Sequence, residues 1–427
     1  MNIHDSERIA GLLEKQGYTK TAGLKDADLV VINTCSVREK AEEKLFTKLS
    51  EIRSQTRHTK PLIAVTGCVA QQEGAEILKR STAVDIVVGT QALQRLPHLI
   101  QQAASEKENQ IDINPYDDVS FPLGIATRSD PVKAYVTIIE GCNDFCSFCV
   151  VPYTRGHERM RESVEILKEV RHAVKTGHRE IHLLGQIVNH YRDPVLPDYG
   201  FPELLEQINA VTGVERIRFA SPHPRHVTTQ MINAVRDLPK VCKHLHLPVQ
   251  SGSSRVLKAM RRRYSRESYL DLISQIRTAI PEVALSTDTI VGFPGETTED
   301  FKQTLSLVSS VGFHSMFSFK YSERPNTLAG RRMPDSVPEK EKSIRLAELQ
   351  SLQKKIQTQL NIAKVGETFE VLVDSRSRRR EHEMSGRTTQ NTIVNFPGET
   401  KWIGDTMSIT IDSAGPNSLH GTASDYA

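Results

Sequence analysis

A regular alternation of short apolar runs with longer amphipathic stretches between residues 132 and 320 is the feature that most limits the possible folds. The runs have the length of strands, and the stretches between them have the length of helices. The predicted strands are 133–139, 180–184, 216–220, 244–247, 284–290 and 314–319, and the predicted helices include 163–176, 228–238, 265–280 and 298–310. Six such β/α units predict a partial (β/α)6 barrel, with its site expected at the carboxyl ends of the strands.

Two smaller regions flank this alternation. Before it, apolar runs at 29–33, 62–66 and 85–88 alternate with predicted helices, which is typical of a small parallel α/β domain. After the predicted helix at 339–360, short strand-like runs at 369–373, 392–396 and 407–411 predict a small all-β barrel. The expected division is an α/β domain at 1–102, a linker at 103–130, the core at 131–360 and the all-β barrel at 361–427.

The composition limits the setting in which the six cysteines act. Hydrophobic residues make up 38% and charged residues 25%, as in a globular protein with real cores. No apolar run approaches the roughly 18 residues of a membrane span, and residues 1–10 lack the layout of a secretory signal. We therefore expect a cytoplasmic protein, in which clustered cysteines are metal ligands or catalytic groups rather than disulfides.

Three cysteines have the spacing C-x3-C-x2-C, as Cys142, Cys146 and Cys149, directly after the first predicted core strand. Thiolates bind both iron–sulfur clusters and zinc. Structural zinc almost always takes four protein ligands. Three cysteines therefore favour a 4Fe–4S cluster with one iron open to a chelating ligand, a role that the amino and carboxylate groups of S-adenosylmethionine suit. A zinc site completed by His157 is the alternative.

Two further cysteines, Cys35 and Cys68, each follow a predicted strand of the first domain and precede a helix. Neighbouring strands would present the two thiols side by side, where they could hold a second cluster. The alternative is that both are buried small hydrophobic residues, which is how free cysteine usually behaves.

A dense group of arginines lies in the tail, at Arg376, Arg378, Arg379 and Arg380. Such a group can form a local anion-binding face, or it can be a solvated loop. From residue 361 onward there are seven Lys/Arg against nine Asp/Glu, so any basic face must be local.

Longer segments of the chain resemble a known family. The cysteine loop is similar to that of the radical S-adenosylmethionine superfamily. The whole chain resembles its methylthiotransferases, which join an N-terminal domain with an auxiliary cluster, a radical core and a C-terminal TRAM domain that binds RNA. Five segments resemble the branch that acts on isopentenyl adenosine in tRNA. They are 33–44 (NTCSVREKAEEK), 221–226 (SPHPRH), 246–254 (HLPVQSGSS), 287–296 (TDTIVGFPGE) and 385–396 (SGRTTQNTIVNF).

The resemblance implies methylthiolation of C2 of N6-isopentenyl (dimethylallyl) adenosine at position 37 of tRNA. It implies S-adenosylmethionine and two 4Fe–4S clusters as cofactors. The radical cluster would be bound by Cys142, Cys146 and Cys149, and the auxiliary cluster by Cys35 and Cys68 together with a third cysteine. An aromatic C–H offers no acidic proton, so a 5′-deoxyadenosyl radical takes the hydrogen and no acid–base residue is assigned.

The resemblance also implies binding roles and partners. Phe148 would pack against the adenine of S-adenosylmethionine, unless it is an ordinary core residue, and Gly185 and Gln186 would lie near its methionine moiety. The tail arginines would contact phosphates of the tRNA anticodon loop, which position but do not specify. An electron donor such as flavodoxin or ferredoxin and a monomeric state are expected.

Two departures from the family pattern leave rival interpretations open. The third auxiliary cysteine belongs to a G-C-Q-M-N segment, where it would fall two residues before Met1. Either translation starts upstream, or the auxiliary cluster has fewer ligands and is labile. Ile187 stands where the family usually has Asn. The rivals are a methylthiotransferase with another substrate and a tRNA-binding protein that has lost auxiliary-cluster activity.

Overall fold

The computed structural model of the chain describes residues 1–36, 39–56, 58–114, 126–378 and 380–423. Its first part is a parallel four-stranded sheet in the order β1-β2-β3-β4. The elements are β1 (Leu29–Thr34), β2 (Leu62–Gly67), β3 (Ile86–Val88), β4 (Gln110–Asp112), α1 (Asn2–Lys15), α2 (Glu39–Gln55), α3 (Cys68–Glu73), α4 (Ala75–Arg80) and α5 (Leu96–Glu106). Helices α1 and α5 cover one face of the sheet, and α2, α3 and α4 cover the other, which explains the apolar, buried sequence of β2.

The stretch 103–130, expected to be a linker, contains ordered structure at its start. Helix α5 continues to Glu106, and β4 pairs with β3 and so completes the first sheet. Residues 115–125 lie outside the described residues. The strand β4 escaped prediction because its three residues carry only one aliphatic side chain, and that side chain is exposed.

The middle part is the predicted partial barrel. Strands β5 (Lys133–Thr137), β8 (Glu180–Leu184) and β9 (Arg216–Phe219) form one parallel sheet, and β10 (His244–His246), β11 (Ala284–Val291) and β12 (Ser315–Lys320) form another. A parallel bridge between Ile217 and Val241 joins the two sheets. The predicted six-strand barrel is thereby confirmed. A small antiparallel pair, β6 (Ile139–Glu140) and β7 (Arg159–Met160), closes the base of the cysteine loop.

Helices of the middle part cover the outside of these sheets. They are α6 (Val151–Thr154), α7 (Ser163–Lys175), α8 (Phe201–Asn209), α9 (Thr229–Asp237), α10 (Ser254–Ala259), α11 (Arg266–Ala279), α12 (Thr298–Val311), α13 (Leu328–Arg332) and α14 (Glu339–Ile362). Buried aliphatic side chains of α7, α8, α9, α11 and α12 meet those of the strands in one core. Leu349 on α14 is fully buried in this core, so the apolar side chains of that helix serve packing.

The tail is a closed barrel with the order β13-β14-β15-β17-β16. Its strands are β13 (Thr368–Arg376), β14 (Glu383–Arg387), β15 (Ile393–Pro397), β16 (Thr406–Ala414) and β17 (Leu419–Ala423). Alternate side chains such as Val371, Val373 and Phe396 fill its interior. The predicted small β-barrel is confirmed. Within the described ranges, no helix combines the length and apolar character needed to cross a bilayer.

Polar contacts join α1 to the middle part. His4 Nδ1 lies 2.7 Å from Thr137 Oγ1, and Arg8 Nη1 donates to Glu140 Oε1 at 3.2 Å. His4 Nε2 also lies 3.5 Å from Glu169 Oε1 on α7. All five side chains are buried. This ties the first domain directly to the start of the partial barrel.

Two arginines of β9 join the C-terminal barrel to the middle part. Arg218 donates to the backbone oxygens of Thr388 and Thr389 at 2.7 and 3.2 Å. Arg216 donates to the backbone oxygens of Glu370, at 3.1 Å, and of Arg387. The turn between β14 and β15 is therefore held against β9.

Candidate active site

The cysteine triplet lies on the loop that β6 and β7 close. Gly141 precedes Cys142 with φ of +79°, and a Cβ there would come within 2.0 Å of the backbone oxygen of His157. Only glycine permits this approach. The Cys142 amide then donates to the Gly156 carbonyl at 3.2 Å, and the Cys149 amide donates to the Cys146 carbonyl at 3.0 Å. The loop is thus shaped by backbone contacts that bring the three cysteines together at the end of the first core strand.

The surroundings of the triplet favour neutral thiols unless a positively charged metal group binds among the sulfurs. Burial raises the pKa of Cys142 to about 12, and the neighbouring Cys146 adds to the effect. Burial and Cys146 likewise raise the pKa of Cys149 to about 12. Thiols in such surroundings become thiolates when a metal binds. Arg262 Nη1 additionally donates to Cys146 Sγ at 3.3 Å, as hydrogen bonds to cluster sulfurs do.

The spacing of the sulfurs bears on which metal group fits. In the described part of the chain, Asp144, His223 and His226 form the one trio of His, Cys, Asp or Glu whose ligand atoms all lie within 4.8 Å of one another. The three sulfurs are therefore spread more widely than the roughly 3.8 Å that tetrahedral zinc with Zn–S bonds of about 2.3 Å requires. The Nδ1 atom of His157 instead lies 3.2 Å from Asn143 Oδ1. The arrangement fits an iron–sulfur cluster better than the zinc alternative.

The trio beside this loop does not have the protonation of a metal site. His223 Nδ1 accepts the backbone N–H of Arg225 at 3.1 Å, so Nε2 carries the proton and faces Asp144 Oδ2 at 3.5 Å. Burial and the nearby Arg262 lower the pKa of His223 to about 2, which keeps the ring neutral. Among the described residues, the Nε2 atoms of His223 and His226 are buried without a hydrogen-bond partner beside Asp144. The sequence signal for the two histidines was the segment 221–226.

The residues expected near S-adenosylmethionine lie around the same loop. Gly185 directly follows β8, and a Cβ there would lie 3.2 Å from the Cβ of Ile139, so the chain passes close to the cysteine loop. Gln186 Oε1 is buried without a hydrogen-bond partner, as an acceptor awaiting a ligand donor would be. Phe148 is half-buried and packs edge-on against Phe293, with ring centroids 6.5 Å apart. One edge of the Phe148 ring therefore belongs to the core.

The second pair of cysteines lies at the end of two paired strands. Thr34 of β1 is in register with Gly67 of β2, so Cys35 and Cys68 leave the sheet at the same edge. Gly67 has φ of +91°, and a Cβ there would lie 2.4 Å from Asn33 Oδ1 and 2.5 Å from the Thr34 oxygen. This close approach brings the two cysteine-bearing turns together, as the strand order predicted.

Charged groups surround this pair. Burial raises the pKa of Cys68, while the charge of Arg155 acts in the opposite direction. Asp5 lies beside them, since its Oδ2 accepts from Arg155 Nη2 at 2.5 Å. A pair of ordinary hydrophobic cysteines would not be expected to gather such charges. The surroundings therefore fit a bound metal group better than plain packing.

The tail arginines lie where the C-terminal barrel meets the middle part. Arg376, Arg378 and Arg380 are exposed and line a cavity of about 670 Å³, whose wall also includes Lys133 and Arg387. Acidic side chains share this wall, namely Asp130, Asp374 and Glu383. Lys133 and Arg380 are paired with two of them, at 2.6 and 2.7 Å. Arg379 lies outside the described residues.

Comparisons with known proteins place all three parts of the chain. Residues 1–89 match the Uncharacterized protein family UPF0004, residues 136–308 match the Radical SAM superfamily, and residues 363–423 match the TRAM domain. A tRNA-2-methylthio-N(6)-dimethylallyladenosine synthase of Carboxydothermus hydrogenoformans is 44% identical over 96% of this chain and 94% of its own length. A synthase of the same name from Geobacter metallireducens is 43% identical over 99% of this chain and 95% of its own length.

A solved structure shares the fold at low identity. The radical S-adenosylmethionine methyltransferase TsrM of Kitasatospora setae, solved with cobalamin and a 4Fe-4S cluster bound, superposes with a TM-score of 0.58. The match covers 76% of this chain and 73% of that chain at 15% identity. At this identity the likeness concerns the fold alone.

Proposed function

Because the chain belongs to the family of tRNA-2-methylthio-N(6)-dimethylallyladenosine synthases, we propose that it methylthiolates C2 of N6-isopentenyl (dimethylallyl) adenosine at position 37 of tRNA. The observation that carries this proposal is identity of 44% over 96% of the chain to a synthase of that name. The chain is a radical S-adenosylmethionine enzyme with a TRAM domain.

Three thiols, of which that of Cys142 is buried, are the proposed ligands of the radical cluster. A 4Fe–4S cluster there would provide the electron that opens S-adenosylmethionine, and Cys142, Cys146 and Cys149 would hold it as thiolates. The surrounding protein limits access, since Cys142 is 9% exposed. Arg262 donates to Cys146 Sγ and so stabilises negative charge on that sulfur.

Residues around the loop fit the proposed binding of S-adenosylmethionine. The unpartnered Gln186 Oε1 supplies an acceptor for the amino group of the methionine moiety. Gly185 leaves room beside it, because a side chain there would press against Ile139. Phe148 contacts the core through Phe293 but is only half-buried, so part of its ring is available to pack against the adenine.

Cys35 and Cys68 are the proposed ligands of a second, auxiliary cluster. Their common edge of the sheet and the positive groups beside them support this role. A cluster held by these cysteines would supply the sulfur, which would take its methyl group from one S-adenosylmethionine. The C2 hydrogen of the adenine would leave as part of the 5′-deoxyadenosine formed from a second S-adenosylmethionine. A flavodoxin or ferredoxin is the proposed electron donor, and the enzyme is proposed to act as a monomer in the cytoplasm.

The C-terminal barrel is the proposed contact with the tRNA anticodon loop. The cavity at its junction with the middle part presents Arg376, Arg378 and Arg380 to solvent. We also propose an RNA contact for Arg379, which lies outside the described residues. Phosphate contacts of this kind would fix the position of the loop, while the splayed-out adenosine enters the site.

Replacing one ligand of the triplet tests the proposed function. Cys146→Ala should abolish formation of 5′-deoxyadenosine under anaerobic reduction and abolish the methylthio product on tRNA. The matched control is Cys242→Ala, since Cys242 is buried beside β9 and is no proposed ligand. Both products are measured by mass spectrometry. Full activity of Cys146→Ala, or product only on a different tRNA nucleoside, would overturn the proposal.

A second experiment tests the RNA contact. Replacing Arg378 and Arg380 by Gln should weaken tRNA binding at low salt and lower the slope of log K against log salt, by roughly one for each phosphate that the variant no longer binds. Arg236→Gln, an exposed arginine on α9, is the control. An unchanged affinity and slope would show that this cavity does not bind the tRNA backbone.

A further inference from the structure

A short stretch of chain connects the two groups of cysteines. After Cys149, the chain forms the single-turn helix α6 and reaches Arg155. The first domain forms two hydrogen bonds with the end of this stretch. Thr90 Oγ1 donates to the Thr154 carbonyl at 2.5 Å, and Gln91 Nε2 donates to the Arg155 carbonyl at 3.0 Å. Arg155 therefore stands at the junction between the triplet and the first domain.

The side chain of Arg155 is turned into the first domain. It is 6% exposed, and its Nη2 atom donates to Asp5 Oδ2 at 2.5 Å and to Asn2 Oδ1 at 3.3 Å. Asn2 in turn is hydrogen-bonded to Asn33, whose Oδ1 lies against Gly67, the residue before Cys68. Cys68 is 4% exposed, and the charge of Arg155 acts against the burial that raises the pKa of this thiol. One guanidinium from the middle part thus pairs with a carboxylate of α1 close to a proposed cluster ligand at the start of α3.

We propose that Arg155 is a positioning residue for the metal group held by Cys35 and Cys68. It would orient Cys68, donate to its sulfur and supply a permanent positive charge beside the bound group. The inference rests on the proposed auxiliary cluster and names a residue outside its ligand set.

The physical reason lies in the charge of a thiolate-bound cluster. Taking such an anionic group into a buried site is unfavourable unless a partner compensates its charge. Arginine is suited to this task, because it stays charged when buried and donates in a fixed fork geometry. Hydrogen bonds to the sulfurs raise the reduction potential, since they stabilise the more negative reduced state. Asp5 and Asn2 hold the guanidinium in place near Cys68.

A buried ion pair that does not face the cysteines would behave differently. Arg161 offers the comparison, because it is 5% exposed and donates from Nη1 to Glu169 Oε2 and to the Thr137 carbonyl, both at 2.7 Å. Loss of either arginine removes a buried ion pair from this region of the molecule. Loss of Arg155 alone should change the metal group.

The experiment compares Arg155→Met, Arg155→Lys and Arg161→Met with the unaltered chain and with a Cys35→Ala/Cys68→Ala double variant. Each full-length protein is reconstituted with iron and sulfide without oxygen. Iron per chain, the electron paramagnetic resonance signal, the midpoint potential by redox titration and the 5′-deoxyadenosine formed are then measured. The double variant defines the signal of the radical cluster alone.

For Arg155→Met we expect iron to fall from the content of the unaltered chain toward that of the double cysteine variant, about four per chain for one cubane cluster. The remaining auxiliary signal should titrate at a more negative potential, while 5′-deoxyadenosine still forms. Arg155→Lys should retain more iron than Arg155→Met because it keeps the charge. Arg161→Met should keep the iron content and potential of the unaltered chain even if its melting temperature falls.

The outcomes distinguish a wrong assignment of the auxiliary site from a wrong assignment of Arg155. If the double cysteine variant retains all the iron, the auxiliary site itself is wrong. If that variant loses iron but Arg155→Met keeps the full content and an unchanged potential, Arg155 has no role toward the metal group. If Arg155→Met and Arg161→Met lose iron equally, Arg155 serves only to hold the domains together.

Discussion

Replacing Glu169 by Gln should weaken the junction between α1 and the partial barrel. The carboxylate of Glu169 is 8% exposed and lies near two guanidinium groups and an imidazole. Arg161 Nη1 lies at 2.7 Å, Arg128 Nη2 at 2.8 Å and His4 Nε2 at 3.5 Å. Glutamine keeps the shape and one acceptor oxygen but leaves the two arginines without this counter-charge.

The pKa of Glu169 sets the expected size of the effect. Burial alone would raise this pKa, but the hydrogen bond with His4 and the charge of Arg161 lower it from 4.5 to about 2. This difference corresponds to roughly 3 kcal/mol in favour of the folded state at neutral pH. Removing one partner from a buried ion pair has a similar measured effect, roughly 3–5 kcal/mol. In a domain of this size we expect a fall in melting temperature of about 6 to 12 °C.

The pH dependence follows from the direction of that shift. A carboxyl whose pKa is lowered by folding contributes its stability above the unfolded pKa and loses it as the pH falls toward the folded pKa. The gap between the unaltered chain and Glu169→Gln should therefore have its full size at pH 6 and shrink below about pH 4.5. Differential scanning fluorimetry from pH 4 to pH 8 measures it.

The control is Glu51→Gln, because Glu51 is half exposed and pairs with Lys48 at 3.0 Å on one helix. Such a pair contributes at most about 0.5 kcal/mol, so its melting temperature should change by no more than about 2 °C. The reasoning is refuted if Glu169→Gln melts within the same margin at pH 7, or if its gap does not narrow in acid.

Three further outcomes follow from the same structure. Gly67→Ala should lower the iron content and destabilise the first domain, because the new Cβ would meet backbone and side-chain oxygens within 2.5 Å. An iron assay and thermal melting measure the two effects. Arg218→Met should make the C-terminal barrel more easily released by limited proteolysis, since it removes two hydrogen bonds to the turn of that barrel, and equal cleavage would contradict this. Arg262→Met should shift the radical cluster to a more negative potential in a redox titration, because a donor to Cys146 is removed, and an unchanged potential would argue against that hydrogen bond.

The sequence predicted the parts of the fold and site that depend on neighbouring residues. Buried parallel strands are continuous apolar runs, so the six core strands could be found from the sequence. The spacing of Cys142, Cys146 and Cys149 lies within one loop. The juxtaposition of Cys35 and Cys68 followed from the rule that parallel strands end at a common edge of the sheet.

Contacts between distant segments could not be predicted in this way. Arg155 and Asp5 are 150 residues apart, and Arg262 and Cys146 are 116 residues apart. Each arginine stands in a polar stretch where a solvated side chain is the ordinary expectation. Only the folded arrangement of three domains makes them buried partners of the cysteines.

The way in which β9 holds the C-terminal barrel has an evolutionary consequence. Arg216 and Arg218 recognise four main-chain oxygens and no side chain of the barrel, so the identity of the turn residues is free to drift while its backbone path is kept. A barrel from a distant relative could therefore be grafted after α14, provided that it keeps the few side-chain partners of this junction, such as Asp374 opposite Lys133. Related proteins could thereby exchange or alter the C-terminal barrel while the radical S-adenosylmethionine domain before it stays unchanged.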